Sequence, residues 1–163
     1  MSQLSRRQLL AGGGVVLAPA VLAAQPVAAA PPGGELVTLL TPIRLFDSRR
    51  ATGPLAGRKL ATGSSVIVTV APPDEDRFLV AAFVNVTITQ TEGTGSLVVV
   101  GSDPSGERPF PETVNVTWSR RSQTKENLVL TPVGSEFGIE IFAVGRGRTH
   151  VVVDLQGYVP FSG

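Results

Sequence analysis

From Leu36 onward the apolar residues either alternate with polar ones or run unbroken over short segments. Alternation sends successive side chains to opposite faces of an extended chain, so the pattern predicts strands, with helices scarce. The segments that read as strands are Leu36–Thr41, Ile43–Ser48, Ser65–Ala71, Phe78–Thr89, Ser96–Gly101, Thr113–Ser119, Asn127–Val133, Phe137–Val144 and His150–Tyr158. Phe78–Thr89 is apolar on both faces at its start, as a central strand is, and TEGTG at Thr91–Gly95 has the residues of a hairpin turn into SLVVVG. About nine short strands separated by turns predict an all-β domain, a single antiparallel β-sandwich of jelly-roll type. A closed β-barrel or a trefoil is the alternative.

Polar residues interrupt these strands at a few positions. In IRLFDSRR, from Ile43 to Arg50, strict alternation would put Asp47 on the face of Ile43 and Leu45. The tetrapeptide VNVT occurs at Val84–Thr87 and again at Val114–Thr117, placing Asn85 and Asn115 inside strands; Asn127 and Asp154 sit in similar settings. A polar group withdrawn from water without a partner costs roughly 2–7 kcal/mol. Asp47, Asn85, Asn115, Asn127 and Asp154 are therefore expected to belong to a structural polar network, with Arg49, two residues beyond Asp47, as a donor.

The first thirty residues follow a different pattern. MSQLSRRQLL leads into a weakly apolar stretch with three consecutive glycines, Pro19 and Pro26, and ends in small residues. That is the layout of a secretory signal rather than a spanning helix. Arg6 and Arg7 in SRRQLL match the twin-arginine motif, so the export partner is the twin-arginine translocase and the destination is extracellular or wall-associated in a bacterium. Cleavage after Ala28, Ala29 or Ala30 fits the peptidase rule and leaves no membrane span. The domain reading is residues 1–30 signal, 31–34 linker and 35–163 β-domain.

Charge and composition narrow the function. Of 14 basic residues, removal of Arg6 and Arg7 leaves 12 against 13 acidic ones, so the slightly basic balance of the whole chain comes from the signal. WSRRSQTK, Trp118–Lys125, reads as a solvated loop, and nucleic acid is not an expected partner. The chain has no cysteine, which excludes disulfides, thiol catalysis and cysteine metal sites.

An enzyme would need a nucleophile or an acid–base pair. The single histidine, His150, lacks a G-x-S-x-G elbow elsewhere in the chain. Paired carboxylates would have to come from Asp47, Glu140 and Asp154. No catalytic residue, cofactor or metal is therefore assigned, although the acidic loops PPDEDR (Pro72–Arg77) and GSDPSGE (Gly101–Glu107) carry calcium-type oxygen ligands. Function then falls to a loop-borne surface, with Trp118, Arg120, Arg121 and Tyr158 as the candidate ligand groups.

TPIRLFDSR, FVNVTIT, GSLVVVG, ETVNVTW, SQTKENLVL and THVVVDLQGYV resemble, in order and spacing, a β-rich domain of secreted actinobacterial cell-surface proteins with patterns such as PxRLLDTR, VxLNVTVT, GYLTVYP, GQTVxNLV and THVIVDVxGYF. The resemblance covers Leu40–Phe161 and implies a non-catalytic binding or accessory role, directed at cell-wall polysaccharide or peptidoglycan. A purely structural domain that assembles with surface proteins is the second reading, and a glycoside hydrolase the third. Here GSLVVV replaces the aromatic pair of GYLTVYP, which removes rings that stack on sugars.

Overall fold

The computed structural model describes residues 34–72, 78–103, 105 and 113–161. The expected export signal with Arg6 and Arg7, its expected cleavage positions, the expected linker up to residue 33, and most of the two acidic loops lie outside the described residues.

The described chain is all-β, with β1 at Val37–Asp47, β2 at Leu60–Ala61, β3 at Ser65–Thr69, β4 at Leu79–Gly101, β5 at Val116–Trp118, β6 at Lys125–Pro132 and β7 at Gly138–Pro160. One 3-10 turn, Ser135–Phe137, is its sole helical element among the described residues. Every pairing is antiparallel, in one sheet of order β1-β7-β4-β5, to which β2 and β3 add along β7 and β6 along β4.

Seven strands stand where about nine were expected, because three pairs of predicted strands are continuous and β2 is too short to leave a periodic signal. β4 and β7 are each 23 residues long and pair with one another from Leu79↔Pro160 to Gly101↔Ile139. The expected hairpin at TEGTG does not form. Its residues stay in β4, whose ladder shifts register between Thr89 and Glu92. Gly93, at φ 65, could not carry a Cβ without striking the Arg146 carbonyl, and a Cβ on Gly95 would lie 2.5 Å from the Trp118 ring. These glycines admit a neighbouring backbone and a ring, which is a second use of residues that otherwise mark turns. In β1, Pro42 falls in a register irregularity on an edge strand, where a missing N–H costs no ladder bond.

The halves of the long strands take different partners. β1 pairs with the second half of β7 and β3 with the first; β6 lies on the first half of β4 and β5 on the second. Yet β1 touches β3 and β5 touches β6, so the long ribbon turns back on itself around Gln90–Gly95 and Gly145–Arg148. One hydrophobic cluster results, drawn from Val84, Val86 and Ile88 before the turn of β4 and Leu97 and Val99 after it, together with Ile139, Ile141, Val151, Val153 and Leu155 of β7. The change from even to odd inward positions in β4 is what a bulge produces in a strand of period two. The sheet remains open, which sets aside the closed barrel and the trefoil. No helix among the described residues is long and apolar enough to cross a membrane.

A second bulge corrects the placement of Asp47. The register moves from Arg44↔Asp154 to Phe46↔Val153, so Leu45 is the extra residue and the alternation inverts. Phe46 enters the core, while Asp47 joins Arg44 on the other face.

Candidate functional site

Asp47 ends β1 and gathers four donors. Its Oδ1 accepts the Arg49 backbone N–H at 3.1 Å and Arg49 Nε at 2.8 Å; its Oδ2 accepts Arg49 Nη2 at 2.6 Å and Arg44 Nη1 at 3.1 Å. The fork of Arg49 is bidentate, the strongest form of such a bond. Its side-chain hydrogen bonds hold the Asp47 carboxyl down at about 2, overcoming the opposing effect of burial. The same bond raises Arg49 above its ordinary value. Arg44 also donates through Nε to Asp154 on β7, so it bridges the two aspartates. The Asp47 carbonyl accepts Arg50 N–H at 3.1 Å, which closes a turn and stops the strand.

Ser48, next in the chain and 1% exposed, fastens this turn to β7. Its N–H donates to Val151 O at 2.9 Å, and its Oγ accepts the Val151 N–H at 2.9 Å. The hydroxyl proton is then left for His150 Nδ1, 3.0 Å away. A neutral imidazole protonated on Nε2 is assigned from that network. Burial, with lesser repulsion from Lys59 and Arg49, pushes the His150 pKa below its ordinary value, in keeping with the neutral ring. A serine beside a histidine invites comparison with a nucleophile and its base. Here, however, the serine is sealed from solvent, its Oγ already takes a backbone amide, and His150 makes no ion pair among the described residues.

The three asparagines do not join Asp47. Asn85 stands opposite Asp154 in the ladder but donates to Glu126 Oε2 at 3.1 Å. Asn115 Oδ1 accepts the Val99 N–H at 2.7 Å, one rung beyond the end of β5, so an amide side chain replaces the missing strand carbonyl. Asn127 donates to the Asn115 carbonyl at 2.8 Å and ties β6 to β5. The predicted network is therefore three separate sets, Asp47 with Arg49 and Asp154, Asn115 with Asn127, and Asn85 with Glu126, because the residues meet only as the ladder permits.

Of the candidate surface groups, the structure buries both aromatic ones. Trp118 is 3% exposed, with Nε1 donating to Glu92 O at 3.2 Å, and Tyr158 is 2% exposed. Val116 and Trp118 share the inward face of β5. Arg120 and Arg121 are exposed, on a loop clamped to the turn of β4: Thr91 Oγ1 donates to Arg120 O at 2.7 Å and accepts Gln123 N–H at 2.8 Å. Surface rings lie instead at the opposite end of the ribbon, where Phe78 and Phe137 pack 5.9 Å apart.

The turn of the ribbon gathers charge that no single segment displays. Lys59 Nζ and Arg148 Nε hold Glu92 at 2.6 Å each, and their hydrogen bonds bring its pKa down to about 2. Residues 48–64 reach this turn through Leu60↔Thr149 and Thr62 N–H to Gly147 O; residues 119–124 reach it through Thr91. Segment 48–64 brings four basic residues, 119–124 two and 143–150 two, against two carboxylates, Glu92 and the adjoining Asp47. Ser48, Arg44 and Glu92 were not singled out from sequence, although Ser48 and Arg44 flank Asp47 in the same motif. No protein-family model matches the chain, and no curated protein matches it.

Proposed function

We propose that the protein is a non-catalytic accessory domain, exported and held at the bacterial cell wall, whose work is binding to wall polysaccharide or peptidoglycan. The observation that carries this reading is the use made of the reactive groups. Asp47, Asp154, Ser48 and His150 are engaged in bonds that hold β1 to β7, while an exposed basic surface is left at the turn of the ribbon. A β-sandwich arrangement belongs to the same proposal, supported by the single core that both halves of β4 and β7 line. Such a scaffold presents loops rigidly, as binding modules do.

The full chain is expected to sediment with purified wall sacculi and to leave the supernatant. If it stays in solution with intact sacculi and instead is recovered only with surface proteins, the domain is an assembly element and the binding reading is wrong. Export is proposed to run through Arg6 and Arg7, on the strength of SRRQLL before a mild apolar stretch. Replacing both by lysine is expected to hold the chain in the cytoplasm; undiminished secretion of that variant would refute the twin-arginine route.

A further inference from the structure

We propose that the turn of the ribbon binds a linear polyanion of the wall, its charges phosphodiester or uronate, through Arg50, Arg58, Arg120, Arg121 and Arg146. The proposal rests on the wall-binding reading above and names the ligand class for it.

Charge pairing decides which cations are available. Asp47 is bridged by Arg44 and Arg49, and Glu92 by Lys59 and Arg148, so these four cations are already engaged in ion pairs. The five arginines named have no ion pair among the described residues, and all are exposed. They come from three separate segments: the β1–β2 loop, the β5–β6 loop and the turn of β7. All five are arginine, whose planar fork binds phosphate and carboxylate oxygens bidentately and is less strongly hydrated than an ammonium group.

Register gives the arrangement. At the turn, the β1–β2 segment lies beside β7, β7 beside β4, and the 119–124 loop beside β4 at Thr91. Neighbouring strands are about 4.8 Å apart, so three such steps spread the arginines over roughly 15 Å. A row of that length suits several charges along a chain better than one small anion. The loops are held in place before any ligand arrives: Arg58 N–H donates to Leu55 O at 2.9 Å, and Ser122 N–H donates to Thr91 O at 2.8 Å. Preorganised donors lose less entropy on binding. A nucleic-acid strand fits less well, because single-stranded binding draws on exposed rings and Trp118, two residues before Arg120, is in the core.

The test uses the full chain with four probes: poly(glycerol phosphate), polygalacturonate, dextran as a neutral glycan, and a DNA duplex. Binding is expected to one or both of the first two, and the one bound names the source of the charge. Affinity should fall about tenfold or more between ~50 and ~300 mM salt, as exposed charge contacts are screened. Arg120→Ala/Arg121→Ala and Arg50→Ala/Arg146→Ala are each expected to weaken binding about tenfold with an unchanged melting temperature, since these side chains have no partner to lose. Phe78→Ala, at the opposite end, should bind like the parent. The proposal is overturned by equal binding of dextran, by tightest binding to DNA, by arginine variants that bind normally, or by loss of binding in Phe78→Ala. Sacculus binding without binding to either wall-type polyanion sinks the ligand class alone; failure with sacculi as well sinks the wall-binding reading too.

Discussion

Trp118→Ala is expected to cost about 3–5 kcal/mol of stability, enough to leave the domain marginal or unfolded. Trp118 is almost wholly buried, in a cluster that joins β5 to both long strands, and its ring packs against Gly95, where no other residue would leave room for it. Truncation removes the largest side chain of that region, leaves a cavity between β5 and β4, and deprives the Glu92 carbonyl of its indole donor. Because this carbonyl lies in the turn of β4, loss of the indole also loosens the point where the ribbon reverses. Urea denaturation followed by circular dichroism measures the effect, since the variant lacks the chain's one tryptophan as a fluorescent reporter. A variant that unfolds at the parent's urea midpoint but no longer sediments with sacculi would return Trp118 to the ligand surface.

Asp47→Asn is expected to cost about 1–2 kcal/mol at neutral pH, a fall of roughly 3–8 °C in melting temperature. Asp47 is a buried carboxylate with four donors, but both guanidiniums that bind it are about 40% exposed or more, so solvent screens part of the attraction. Its pKa is about 2 in the fold against an ordinary 3.8, so the stabilisation is complete above about pH 4 and disappears as pH falls towards 2. His150 acts in the same direction at higher pH. Its pKa in the fold lies below the ordinary 6.5, so the unfolded chain takes up a proton first and stability declines as pH drops below that value. The parent should therefore lose stability in two steps on acidification, the lower one shared by Asp47 and Glu92, whose carboxyl also lies at about 2; Asp47→Asn keeps the upper step and shrinks the lower by Asp47's part. Melting curves from pH 7.5 to about 2.5 read both steps; an unchanged lower step in the variant would show that Asp47 does not supply it.

The polar pair at the end of β1 was visible in the sequence because it is local. Arg49 follows Asp47 by two residues, and a turn alone brings the backbone amide and the guanidinium to the carboxylate. The all-β character was visible for a similar reason: alternation is a property of neighbours, and it marked most of each strand. Yet the same local rules misread TEGTG, since glycine serves a hairpin and a close approach of another strand equally well. Only the presence of Arg146 and Trp118 against those glycines distinguishes the two.

Leu45 illustrates the next level. A bulge cannot be read from alternation, and one extra residue transferred Asp47 from the expected core face to the face of Arg44. Sequence by itself determined strands and the Asp47–Arg49 contact. Tertiary structure decided that Ser48 meets His150 across 102 residues and Arg44 meets Asp154 across 110. It likewise decided that Trp118 and Tyr158 are core, and that basic residues scattered over three segments share one end. Register and the reversal of the long ribbon set those meetings, and both depend on pairings far apart in the chain, whose closure is fixed by the whole core rather than by any local run of residues.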